Sequence, residues 1–227
     1  MRNYVISNRL MSAVGFVRGG VFADIGTDHG YLPIYLYKNR LIKKAVAADI
    51  NPMPLDSARR NIAEHRVSDG IVTVLSDGLE KIGGFAPDDI AIFGMGGELV
   101  CRIIGNAPWT KDPKIRLILQ PMTKQDEVRE YLLSEGFAIV GEALSEDDGK
   151  IYQTICAEYS GVSEKYSTAE LILGRHNIKY GGELFGRFVE NRIEVYSARA
   201  EGKRLAGMGD SEAALVEEFK RILENVK

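Results

Sequence analysis

No stretch of this 227-residue sequence approaches the run of about 18 apolar residues that a membrane-spanning helix needs. The opening MRNYVISNRLMSAVGF carries Arg2 and Arg9 but neither a long apolar core nor an A-x-A cleavage site, so a secretory leader is not expected. Cysteine is scarce: Cys101 and Cys156 lie far apart and form no C-x-x-C pair, which argues against a disulfide framework and for a reduced, cytoplasmic compartment. The histidines, His29, His65 and His176, are scattered, and no H-E-x-x-H or His/Cys cluster suggests a metal site. An excess of positive charge is also missing. With 29 Lys/Arg against 32 Asp/Glu the net charge is -3, which does not advertise a nucleic-acid binder. Net charge averages over faces, however, and leaves a local basic patch open. Internal repeats and low-complexity tracts are absent.

What is present is an ordinary apolar share of 45%, enough for a large core, arranged as alternating strand-like and helix-like segments. Residues 5–17 read as a leading helix with Ser7 as a candidate N-cap. Short apolar runs at 21–25, 44–50, 71–75, 89–94 and 115–120 read as buried strands. Helical patterns at 32–39, 54–66, 98–105 and 124–136 fall between and after them. Residues 137–145 and 150–159 flank a turn-like EDDG and read as an antiparallel hairpin. The order predicts an open, mostly parallel Rossmann-like sheet with helices on both faces. Ligands of such sheets lie beyond the carboxyl ends of the strands, so the chemistry is expected there.

The first strand runs into ADIGTDHGY, which places Asp24, Gly26, Asp28, His29 and Gly30 at its end. A dinucleotide fingerprint has glycine where this chain has Asp28, and a carboxylate there repels a pyrophosphate. The acidic loop suits a cationic cofactor without phosphates, such as S-adenosylmethionine, better than NAD. Helix capping by Asp24 or Asp28 explains the acids equally well at this stage. Asp49 ends the second strand, where a carboxylate can accept from ribose hydroxyls or cap the next helix. After the third strand come Asp77 and Gly78, candidates for an adenine pocket or merely a turn. The fourth strand ends in Gly94, Met95, Gly96 and Gly97, whose glycines let backbone approach a flat base or simply turn the chain. Gln120 ends the fifth strand with a donor and an acceptor suited to reading a base edge. Tyr31 is a candidate stacking residue or part of the helix core, and a lone His29 is more often structural than catalytic.

The set ADIGTDHGYLP, AADINPMPLDSARRN, LSDGLE, IAIFGMGGEL and LILQPM, in this order, resembles the bacterial tRNA adenine-N1 methyltransferases that act on adenine 22 of tRNA. The resemblance covers most of residues 5–160. It implies a class I methyltransferase fold with a mostly parallel seven-stranded sheet and an antiparallel last strand. It further implies S-adenosylmethionine as donor and tRNA as partner. By motif match, Asp24, Gly26, Asp49, Asn51, Asp77 and Gly78 would bind the cofactor. Asp28, His29, Gly94, Met95 and Gln120 would border the target base.

From about residue 161 the pattern changes, which suggests a methyltransferase domain over 1–160 and a helical domain over 161–227. Phe185, Phe188, Val189, Ile193, Tyr196 and Ala200 share a face of a helix at 184–205. GMGD at 207–210 breaks it, and Leu215, Phe219, Ile222, Leu223 and Val226 mark a second helix, giving an antiparallel hairpin. This segment holds 11 Lys/Arg and 11 Asp/Glu, so the rest of the chain carries the net negative charge. The resemblance implies that the tail helps hold tRNA; a solvated hairpin or a dimer contact is the plain alternative, and a monomer or weak homodimer is expected. A small-molecule methyltransferase and a non-catalytic RNA-binding module are the competing functions. A dinucleotide oxidoreductase is disfavoured by Asp28.

Overall fold

The computed structural model describes residues 6–206 and 211–225. Strands β1 (Val21–Ile25), β2 (Lys44–Asp49), β3 (Ile71–Leu75), β4 (Asp89–Phe93) and β5 (Arg116–Gln120) alternate with helices α2 (Tyr31–Lys38), α3 (Pro52–Glu64), α4 (Gly97–Gly105) and α5 (Gln125–Ser134). The short α1 (Asn8–Met11) precedes them. A hairpin of β6 (Phe137–Asp147) and β7 (Lys150–Tyr159) closes the sheet in the order β3-β2-β1-β4-β5-β7-β6. The strands β1 to β5 pair in parallel, and β7 runs antiparallel to both neighbours. The strand order reverses between β1 and β4, so a crevice forms beyond their carboxyl ends.

Alternation along the strands divides the core. Phe22, Ala45, Ala47, Ala91 and Phe93 face α2 and α3 through Leu32, Ile34, Leu36, Ala58 and Ile62. Ala23, Ile25, Val46, Ile90, Ile92, Leu117 and Leu119 face α4 and α5 through Val100, Ile103, Ile104, Val128 and Leu132. The near-continuous apolar strands follow from burial on both faces.

The leading segment is shorter than its periodicity suggests. Ser7 does cap, accepting a hydrogen bond from the Leu10 amide, but the helix ends at Met11 and resumes only as a single 3-10 turn at Val14–Phe16. Ser12 shares a 2.6 Å hydrogen bond with Thr154 of β7, so a tertiary contact fixes the chain at the break. Val5, GMGD and Val226 lie outside the described residues. The second hairpin strand keeps its expected bounds, whereas the first runs two residues further, to Asp147, because Asp148 and Gly149, with φ of 48° and 71°, form a tight two-residue turn.

Beyond the sheet come α6 (Thr168–Leu173), α7 (Arg175–Tyr180), α8 (Glu183–Leu205) and α9 (Ser211–Glu224). The sequence pattern missed α6 and α7, which are too short for a periodic signal. Ala169, Ile172 and Leu173 of α6 pack with Phe185, Phe188, Val189 and Phe219 into one cluster that also touches Leu144 and Ile151 of the hairpin. Arg129 of α5 fastens this unit to the sheet. It donates to Glu142 at 2.6 Å, to Gln153 Oε1 at 2.7 Å and to the Leu171 carbonyl at 2.7 Å, and Glu142 also accepts the His176 amide at 2.9 Å. Arg187 of α8 adds a bidentate pair with Glu146, whose carbonyl accepts from Asn8.

Candidate active site

The carboxyl ends of β1, β2, β4 and β5 bring most of the expected residues to one rim. At the end of β1 the chain turns at Gly26 with φ 75°, and a Cβ there would stand 2.2 Å from Met95 Cε. The positive φ is what favours glycine here; the Met95 methyl at the end of a flexible side chain could move aside. The next residues, His29 and Gly30, also take positive φ, 60° and 69°, and Asn61 of α3 holds this turn by donating to the His29 carbonyl at 2.8 Å. The loop is thereby pinned to the scaffold with the Asp28 side chain projecting, 82% exposed. His29 Nε2 lies 3.2 Å from Asp28 Oδ1, and its ring stacks on Tyr31 at 5.2 Å.

Asp24 behaves differently from its neighbours. It is 7% exposed and accepts a 2.6 Å hydrogen bond from Thr27 Oγ1. Burial pushes its carboxyl up to about 6; the Thr27 bond and the nearby Arg9 guanidinium pull it down, and the charges of Asp49 and Asp28 push it up again. A cation placed beside it would draw it back toward the ordinary carboxylate range. Asp49 Oδ1 accepts the Asn51 amide at 2.7 Å, a local turn that leaves the second oxygen for a ligand. Asp49 therefore does not cap α3, whose N-cap residue is Asn51, and its turn bond is compatible with ligand binding. Asn51 is exposed at the N-terminus of α3, with Ile50 exposed beside it.

Asp77 and Gly78 follow β3 and line a recess of about 250 Å³ against Arg102 and Ile103 of α4 and Asn106 just past its end. Buried Ser76 sets this turn: it accepts from the Lys81 amide and donates to the Gly78 carbonyl. After β4, a Cβ at Gly97 would meet the carbonyl oxygens of Thr123 and Lys124 at 2.7 and 2.8 Å. This glycine thus lets α4 seat against the β5–α5 connection. The Met95 carbonyl accepts the Met122 amide at 2.8 Å, which joins the two loops. Gly94 is exposed at the end of β4, its amide donating to the Gln120 carbonyl.

Gln120 is placed at the rim but not as a free reader of bases. It is fully buried; its Oε1 accepts from Arg9 Nη1 at 2.9 Å and its Nε2 faces the Met122 sulfur at 3.4 Å. Any effect on a substrate passes through Arg9. That arginine, with Thr27 and Tyr152, was not singled out by sequence motifs. Arg9 reaches the site from α1 across the chain, its Cζ 5.9 Å from the Tyr152 ring centroid. No local pattern announces such a contact, whereas the spacing of Thr27, three residues from Asp24, is a local signal that could have found it.

A wider cleft of about 800 Å³ lies at the amino ends of the strands, among Arg18, Arg40, Lys43, Asp88 and Lys114. It is remote from every residue above. Among the described residues, no group of three or more His, Cys, Asp or Glu is placed to hold a metal, and no helix is long and apolar enough to cross a membrane.

Comparison with known proteins bears on the same region. The methyltransferase-domain family matches residues 6–155. The tRNA (adenine(22)-N(1))-methyltransferase of Bacillus subtilis (strain 168) is 35% identical over 175 residues, 77% of this chain and 74% of that protein. The crystal structure of the B. subtilis m1A22 tRNA methyltransferase superposes with TM-score 0.81 at 29% identity, covering 99% of both chains. A putative tRNA (m1A22) methyltransferase of Streptococcus pneumoniae, solved in complex with S-adenosyl-L-methionine, gives TM-score 0.85 at 30% identity over 96% of this chain and 100% of that one. The match extends through the C-terminal helices as well as the sheet, and on these grounds this chain belongs to the tRNA (adenine(22)-N(1))-methyltransferase family of class I methyltransferases.

Proposed function

We propose that this protein methylates N1 of the adenine at position 22 of tRNA, using S-adenosylmethionine, in the cytoplasm. The observation that carries the reading is the convergence of Asp24, Asp28 and Asp49 on one crevice around the Gly26 turn. The residues fit the cofactor. Gly26 offers bare backbone, the buried Asp24 carboxylate carries a desolvation cost that a cation beside it would offset, and Asp49 keeps an unused oxygen for vicinal hydroxyls. Asn51 extends the ribose side, while Asp77 and Gly78 border the adenine of the cofactor. When bound, the cofactor supplies an electrophilic methyl carbon on a sulfonium.

On the substrate side, neutral adenine has an in-plane lone pair on N1, so the attack needs no strong base. It needs alignment, which Gly94 and Met95 provide as a fixed wall. The N1–carbon bond forms as the carbon–sulfur bond breaks, and the positive charge moves onto the base. Asp28, oriented by His29, faces that charge and stabilises it. Extruding the base from folded tRNA costs about a few kcal/mol. The helical domain, which we take to begin at about residue 161, holds the tRNA body through basic residues such as Arg192, Arg199 and Lys203. The test is incubation with labelled S-adenosylmethionine and unmodified tRNA followed by nucleoside analysis. Label in 1-methyladenosine is expected, and its loss when position 22 is changed; label elsewhere, or none, overturns the reading.

A further inference from the structure

The crevice poses an electrostatic problem. Its mouth is set by Asp24, Asp28 and Asp49, yet the proposed substrate is a polyanion. Arg9 is the cation whose charge Asp24 feels. It is half-buried on α1, beside the end of β4: a Cβ at Gly94 would lie 3.5 Å from its Nη1. The side chain is held from two directions, by Gln120 Oε1 on Nη1 and by the Tyr152 ring. The anchoring is one-sided. Nη1 is engaged, while Nε and Nη2, the parallel pair of N–H groups along the other edge of the guanidinium, have no hydrogen-bond partner among the described residues. That pair is the fork that matches two oxygens of a phosphate, and a preset fork loses less side-chain entropy on binding than a free one.

We infer that Arg9 binds a backbone phosphate of the extruded target nucleotide, with Gln120 as the positioning residue that aims it. The inference rests on the tRNA methyltransferase reading above and adds the substrate contact which that reading leaves open. The contact also explains why a buried glutamine stands at the end of β5: it presents an arginine rather than touching a base.

The experiment measures binding of unmodified tRNA over a range of salt concentrations, together with steady-state methylation, for wild type, Arg9→Met, Arg9→Lys and Gln120→Leu. Calorimetry with S-adenosylmethionine and thermal unfolding report on the cofactor site and the fold. Arg9→Met is expected to weaken tRNA binding roughly 10- to 100-fold, as for loss of a hydrogen bond to a charged group. Its log K against log salt should flatten by about 0.7–0.9, the signature of one phosphate contact fewer. Cofactor affinity should change far less than tRNA affinity, because Arg9 acts on the cofactor acid Asp24 only through its charge. Arg9→Lys should keep the salt slope but recover only part of kcat/KM, because the fork is lost while the charge remains. Gln120→Leu should lower kcat/KM with the slope intact, and should add little in an Arg9→Met background.

If Arg9→Met binds tRNA with wild-type affinity and slope, Arg9 is only a tie for α1 and the inference is wrong. Turnover lost with an unchanged slope also overturns it, since the contact would then be to the base. Wild-type protein that fails to methylate tRNA refutes the functional reading itself, whereas an active wild type with an unaffected Arg9→Met variant refutes this inference alone.

Discussion

Replacing Arg129 with methionine isolates the fastening between the sheet and the C-terminal helices. Both side chains of the Arg129–Glu142 pair are 0% exposed, and the guanidinium makes three hydrogen bonds, to Glu142, Gln153 and the Leu171 carbonyl. Methionine keeps most of the apolar stem and removes all three. Glu142 is then left buried with only the His176 amide. Breaking a buried pair from one side costs about 3–5 kcal/mol. For a chain of this size each kcal/mol lowers Tm by about 2–4 °C, so a fall of roughly 6–20 °C is expected. Adding Glu142→Gln removes the stranded charge but keeps an acceptor for His176, and should restore at least half of the loss. The assay is thermal unfolding of the two single variants and the double variant as a double-mutant cycle, with cofactor binding checked in parallel. The argument fails if Arg129→Met melts within about 2 °C of wild type, or if the second substitution makes matters worse.

Asp24 gives a pH signature. Its folded-state value of about 6 lies above the ordinary 3.8, so its contribution to stability is full below about 3.8 and is lost as pH rises through about 6. Asp24→Asn should abolish that decline and stabilise the cofactor-free protein at neutral pH by on the order of 3 kcal/mol, read by chemical denaturation at several pH values. Asp49→Ala should weaken S-adenosylmethionine binding by about 1.5–3 kcal/mol in calorimetry, through loss of ribose contacts. Asp28→Asn should lower single-turnover methylation while leaving the melting curve unchanged; normal turnover would reduce Asp28 to a surface acid. Truncation before Glu183 should keep cofactor binding and abolish tRNA methylation, whereas truncation at residue 161 should also destabilise the sheet domain, because it removes the Leu171 carbonyl and the His176 amide from the Arg129 network.

Periodicity and turn chemistry carried most of the fold. The apolar strands and the Gly-bounded helices read directly, because each obeys a local rule. The leading helix did not: its break at Ser12 depends on Thr154, 142 residues away. Helices α6 and α7 escaped for a different reason, being six residues each and set by a capping box at Ser167 and by buried contacts rather than by a repeating face. At the candidate site the acids and glycines at the strand ends were legible as a constellation. What was not legible was how Gln120 is engaged, since its partner Arg9 lies 111 residues away and only the sheet order brings them together.

Glu146 shows how the long hairpin constrains the history of the chain. Its carbonyl holds Asn8, next to Arg9, and its carboxylate holds Arg187. Beyond the bulge at Val140, one added or lost residue in β6 would turn that position to the opposite face of the strand and release both neighbours at once. Descendants of this sequence are therefore free to lengthen or shorten the tail helices at their far ends, but not the strand between Gly141 and Glu146. Length variation among relatives should accumulate at the tail and be nearly absent from this strand.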